Sequence, residues 1–149
     1  MKSHSGKEEN FDSLNPGPVE NVTTESFVLR GQGVSLEVVA APAEFSSMSG
    51  NVLKATVPPV VEPALQYAFL FEFTGRSAVQ KITLDFGAKS RIKTFAYWQF
   101  EEGGFGQKDI GNGRHTFPVD DDSGRDLKLL LLQVYTAAGE QAFLDNITW

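Results

Sequence analysis

From residue 10 onward, apolar and polar positions alternate over short runs, and turn residues end each run. That is the pattern of half-buried β-strands. The runs are Asn10 to Leu14, Thr23 to Arg30, Val34 to Ala40, Val52 to Val57, Gln66 to Phe73, Val79 to Phe86, Ile92 to Phe100, Arg114 to Val119, Leu127 to Tyr135 and Ala142 to Trp149. Between them stand Asn15-Pro16-Gly17-Pro18, Gly31-Gln32-Gly33, Pro58-Pro59, Thr74-Gly75, Gly87-Ala88 and Ala138-Gly139, all good turn formers. No helical period persists over a long window. About nine or ten short strands at this spacing predict an all-β fold, an antiparallel two-sheet β-sandwich.

The faces of individual strands can be assigned. Tyr67, Phe69, Phe71 and Phe73 share one face, and so do Ile82, Leu84 and Phe86; both faces are predicted core. Leu127 to Tyr135 carries leucine on both faces, which places it centrally. The strand Ile92 to Phe100 has rings on both faces: Ala96, Trp98 and Phe100 on one, Lys93, Phe95, Tyr97 and Gln99 on the other. One buried side does not require that. The segment Glu101 to Gly113 holds five glycines and one Phe tip and is expected to be a long rim loop.

Composition narrows the class. The 149 residues suit one domain with a sizeable core. The net charge of −6, with no basic stripe, argues against nucleic acid. No apolar run is long enough to span a membrane. The chain has no cysteine, which excludes disulfides, thiolate metal sites and a cysteine nucleophile. Residues 1–8 lack an apolar signal core and read as a leader or linker ahead of a single domain, residues 9–149.

Candidate chemistry is sparse. Asp145 lies inside the last apolar run and needs a cation, a basic side chain or several N–H groups, because a buried unpaired charge is costly. Asp120, Asp122 and Asp126 around Gly124 suggest a cation loop but lack the terminal Glu of a helix–loop–helix calcium site; a solvated acidic turn is the simpler expectation. Enzymatic sets are missing. The two histidines, His4 and His115, cannot build a zinc site, no nucleophile elbow is present, and the adjacent Glu101 and Glu102 point opposite ways on a strand.

Three pieces, in order, resemble the β-jelly-roll carbohydrate-binding modules and their galactose-binding-like relatives. They are the opening Asn10-Phe11-Asp12-Ser13-Leu14, the hairpin return Gly31-Gln32-Gly33-Val34-Ser35-Leu36-Glu37-Val38, which has one glycine more than the usual spacing, and the closing Phe143-Leu144-Asp145-Asn146-Ile147. The resemblance implies a jelly roll that binds a carbohydrate without altering it. It also implies a structural calcium, Ca2+, held by Asp145, by Asp12 (or Glu9 if the register slips) and by carbonyls near Gly31 and Gly33. That ion takes six to eight oxygens and needs neither cysteine nor histidine.

On such a fold a ring stacked on a sugar, with amides beside it, forms the binding platform. Tyr97 serves if Trp98 is core, and Trp98 serves if the faces are reversed; the apolar count favours Trp98 inward. Lys93, Gln99, Gln133 and Tyr135 are the expected neighbours. The expectation is a monomeric, secreted module, extracellular or periplasmic, carried by a larger glycan-processing or cell-surface protein. The alternatives are a protein-interaction or adhesion sandwich and, further off, a small jelly-roll enzyme.

Overall fold

The computed structural model describes residues 7–62, 66–88, 94–119, 123–134 and 137–149. Its strands are β1 (Glu8–Glu9), β2 (Gly17–Val19), β3 (Asn21–Thr23), β4 (Phe27–Gln32), β5 (Ser35–Ala40), β6 (Asn51–Thr56), β7 (Ala68–Phe73), β8 (Ile82–Ala88), β9 (Thr94–Phe100), β10 (Phe105–Ile110), β11 (Gly113–Phe117), β12 (Leu127–Gln133) and β13 (Gln141–Thr148). No helix occurs among the described residues. One sheet runs β11-β8-β13-β6-β5-β2, with β1 added to β13; the other runs β10-β9-β12-β7-β4-β3. Every pairing is antiparallel. This is the expected two-sheet jelly roll.

The inner faces follow the alternation in the sequence. Phe69, Phe71, Ile82, Leu84, Phe86, Leu130, Leu132 and Leu144 are all buried between the sheets. Their rings interlock edge to face, as at Phe27 and Phe71, whose centroids lie 5.2 Å apart. Trp98 turns into this core beside Phe117 at 5.7 Å. Gly106 on β10 makes room for it: a Cβ there would meet the indole at 2.5 Å.

Several elements differ from the sequence reading. Residues 11–14 form a turn rather than a strand, with Phe11 buried and at φ 64°. Strand pairing starts earlier, because Glu8 and Glu9 pair with Thr148 and Ile147, and the Lys7 amide donates to the Trp149 carbonyl at 3.0 Å. Lys7 and Glu8 are thus bonded into the first sheet. The glycine-rich segment is a hairpin arm: after a turn at 101–104, β10 pairs with β9 along its whole length. Its backbone satisfies the edge of the sheet, so low hydrophobicity did not prevent pairing. Residues 41–50 fold back over the outer face of the first sheet, where Phe45 and Met48 pack on Val52 and Phe143 as a second small core.

Candidate functional site

Of the residues expected to form a platform, Tyr97, Gln99 and Gln133 fall on the outer face of the β10-β9-β12-β7-β4-β3 sheet. The registers set its side chains in rows across the strands. One row is Gln107, Tyr97, Leu131, Leu70 and Arg30; a flanking row is Phe105, Gln99, Leu129, Glu72 and Val28. The Tyr97 and Phe105 rings tilt against one another at 5.6 Å, and Phe105 is 67% exposed. Gln99 donates from Nε2 to Tyr97 Oη at 2.7 Å, which fixes both side chains. Ala68, Leu70 and Leu131 form an apolar floor beside Tyr97. At the far side Arg30 Nε reaches Glu72 Oε1 at 2.6 Å, an exposed pair. Phe95, Gln107, Lys108 and Asp109 line a shallow hollow at the near edge. Ring faces, amides and one ion pair on an open sheet suit a neutral polyhydroxylated ligand: the rings take C–H faces and the amides take hydroxyls.

Of the expected ligand residues, Tyr97, Gln99 and Gln133 lie on this face. Trp98 does not. It is 5% exposed and part of the core, so the reversed-face alternative is excluded; the inner sheet surface needs its area more than the outer one does. Lys93 and Tyr135 lie outside the described residues, as do Asp120 and Asp122. Gln107, Arg30 and Glu72 were not among the expected residues, and Phe105 was expected only as the tip of a rim loop. Phe105 and Gln107 were read as loop, and Arg30 and Glu72 join the face only through long-range pairing. His115 sits on the edge strand β11, where its Nε2 is 2.6 Å from the Gly111 carbonyl.

The carboxylate corner lies on the opposite sheet. Asp145 is wholly buried beneath residues 47–49. Its Oδ2 accepts the Ser49 amide at 3.1 Å, and its Oδ1 has no partner. Asp85, opposite it in register, is also wholly buried but is served by Arg114 Nε at 3.1 Å and Asn146 Nδ2 at 2.7 Å. Burial pushes the Asp145 carboxyl up to about 6, against the Ser49 and Asn146 N–H groups; the Asp12 and Asp85 charges push the same way. Asp12 Oδ1 caps the Asn51 amide at 2.7 Å, and Glu9 Oε2 takes the Phe11 amide at 2.9 Å.

An orphaned buried carboxylate oxygen with acidic neighbours and a carbonyl-rich loop suits a hard cation in chemistry. Yet no three His, Cys, Asp or Glu side chains converge among the described residues. Gly31 and Gly33 are corrected. They lie beyond Ser35, which pairs with Thr56, whereas Asp12 and Asp145 lie at the Ala40–Asn51 end of the same ladder. Five strand residues, about 16 Å, separate the two ends. Gly31 and Gly33, at the crossing from β4 in one sheet to β5 in the other rather than in a hairpin, therefore contribute no ligand to this corner.

No protein-family model and no curated protein matches the chain. Solved structures do match. A family 29 carbohydrate-binding module aligns with a TM-score of 0.56 at 10% identity, over 97% of this chain and 88% of its own. A variant of a family 29 module, complexed with mannohexaose, aligns with a TM-score of 0.56 at 10% identity, over 97% and 92%. A further family 29 module, from Piromyces equi, gives a TM-score of 0.52 at 13% identity, over 97% and 90%. Another variant was solved with cellulohexaose. At such identities the likeness shows the jelly-roll fold that these modules share with this chain; function must be argued from the site.

Proposed function

We propose that the protein is a non-catalytic carbohydrate-binding module whose β10-β9-β12-β7-β4-β3 face receives a polysaccharide chain. The carrying observation is the pair of the half-buried Tyr97 ring and the exposed Phe105 ring, set among Gln99, Gln107 and Gln133 on an open sheet. The fold's occurrence in modules solved with mannohexaose and cellulohexaose supports the reading. An open face takes the interior of a chain, because neither end meets a wall. Among the described residues this face presents no converging acid pair, in keeping with a module that binds without cleaving. It acts as a monomer outside the cell, attached to a larger glycan-active or cell-surface protein.

Within the same reading, a structural calcium serves as a clip at the carboxylate corner. Asp145 would hold it, Asp12 would add a carboxylate, and nearby loop carbonyls would have to supply the remaining oxygens. When bound, it supplies the positive charge that Asp145 lacks, tying the last strand to the 41–50 segment.

A glycan array probed in calcium buffer tests the binding face, with Tyr97→Ala and Phe105→Ala proteins alongside. The expected result is binding to a related set of polysaccharides, weakened about tenfold or more in each variant while both still fold. No binding across a broad array, or variants that bind as well as the parent, would sink the proposal.

A further inference from the structure

Arg30 on β4 and Glu72 on β7 stand diagonally across the pairing of the two strands, and Arg30 Nε donates to Glu72 Oε1 at 2.6 Å. Both side chains are about half exposed, at 46% and 51%. An exposed pair of this kind adds little to folding. It is also only half used. The guanidinium has two further nitrogens and the carboxylate a second oxygen, and none of these is hydrogen-bonded among the described residues. The place of the pair gives the spare groups a use. Tyr97, Leu131, Leu70 and Arg30 follow one another in one row across β9, β12, β7 and β4. Tyr97 and Arg30 are therefore three strand spacings apart, about 14 Å. The floor between them is Leu131, Leu70 and Ala68, whose side chains offer no hydrogen bond.

We propose that the Arg30–Glu72 pair is a distal subsite that grips two adjacent hydroxyls of a neutral sugar unit, and that it sets the chain length the face requires; the inference rests on the sheet-face reading. One hydroxyl oxygen accepts from an Arg30 Nη–H, and its neighbour donates to Glu72 Oε2. The planar guanidinium holds its donors in a fixed fork, and the existing bond to Glu72 already orders both side chains, so less freedom is lost on binding. The two charges cancel within the pair. What the pair offers is directed hydrogen bonding rather than net charge, which suits a neutral sugar. A disaccharide resting on Tyr97 and Phe105 is too short to reach it, whereas a longer chain lying along the row touches both ends. The rings then supply contact area and the pair reads the pattern of hydroxyls.

The test is calorimetric titration of the full chain with linear β-linked hexasaccharides of glucose, mannose and xylose, each beside its own disaccharide. The reading is the advantage of a hexasaccharide over its disaccharide. The parent should show that advantage for at least one sugar. Arg30→Leu and Glu72→Gln should each shrink it about fivefold or more, with melting temperatures near that of the parent. The double variant should lose about as much as either single one, because the two side chains act as a unit. Arg30→Lys, which keeps the charge but not the fork, should lose it as well. Tyr97→Ala should weaken disaccharide and hexasaccharide alike. Glu37→Gln breaks an exposed pair in the other sheet, where Lys54 Nζ lies 3.2 Å from Glu37 Oε1, and should leave the advantage as it is. A full advantage in Arg30→Leu, Glu72→Gln or Arg30→Lys, or a parent affinity already maximal for the disaccharide, would overturn the proposal. If Tyr97→Ala loses binding while the pair variants bind as the parent does, only this inference fails. A parent that binds none of the probes overturns it too, and the glycan array then decides the sheet-face reading by itself.

Discussion

Asp145 concentrates the cost and the interest of this fold in one side chain. It is fully buried, has one oxygen without a partner, and sits beside two other acids. Its carboxyl is raised from 3.8 to about 6, so the sign of its effect is fixed. Below about 3.8 it is protonated in both the folded and the unfolded chain. As pH climbs toward 6 the unfolded chain ionises first, and the native state loses stability; above 6 the loss is about 3 kcal/mol from a gap of this size. In chelator, the melting temperature of the parent should therefore fall relative to Asp145→Asn between about pH 4 and 6. Calcium should restore the parent at pH 7 and leave the Asn protein unmoved. A parent whose melt ignores calcium at pH 7 would remove the clip. Asp85 shows the contrast: equally buried, it is satisfied by Arg114 and Asn146.

At the scale of one element, β9 divides labour between its two faces. Ala96, Trp98 and Phe100 are core, while Phe95, Tyr97 and Gln99 face out. The same truncation should then read differently on neighbouring residues. Trp98→Ala should cost about 3–5 kcal/mol in chemical denaturation, because it leaves a cavity the sandwich cannot close. Tyr97→Ala should cost about 1 kcal/mol or less and lose binding instead. Gly106→Val tests the hairpin from the other side. A Cβ there meets the Trp98 ring at 2.5–2.6 Å, so the indole must leave its place or β10 must peel from β9. Either should lower the melting temperature and disturb the Phe105 and Gln107 positions together. A Gly106→Val protein with parental stability and binding would show that β10 is not needed to present the platform.

For the molecule as a whole, the six strands of the sheet proposed to bind span about 24 Å from β3 to β10. A chain lying across them meets the rings first and the Arg30–Glu72 pair last. In calorimetric titration with an oligosaccharide ladder, affinity should rise with length, by about tenfold or more from disaccharide to hexasaccharide, and then level off. An affinity already maximal for a disaccharide would mean that one ring position does all the binding.

Much of this was legible before folding. Alternation along β4 to β9 and β12 fixed strand identity, the all-β class and most of the core, because burial of one face is a local pattern with a period of two. Asp145 announced itself as a polar interruption of an apolar run. The alternation also favoured Trp98 over Tyr97 as the inward ring. What the sequence could not decide rests on contacts between distant segments. β10 is polar and glycine-rich and becomes a strand only by pairing with β9. Gly31 and Gly33, expected beside Asp12 from the motif, stand where the chain crosses from one sheet to the other, a ladder's length away from it. Phe105, Arg30 and Glu72 share a surface because strand order, not chain order, makes them neighbours. Local periodicity is set by backbone geometry within each strand, whereas the site is set by registers that hydrogen bonding chooses across the sheet.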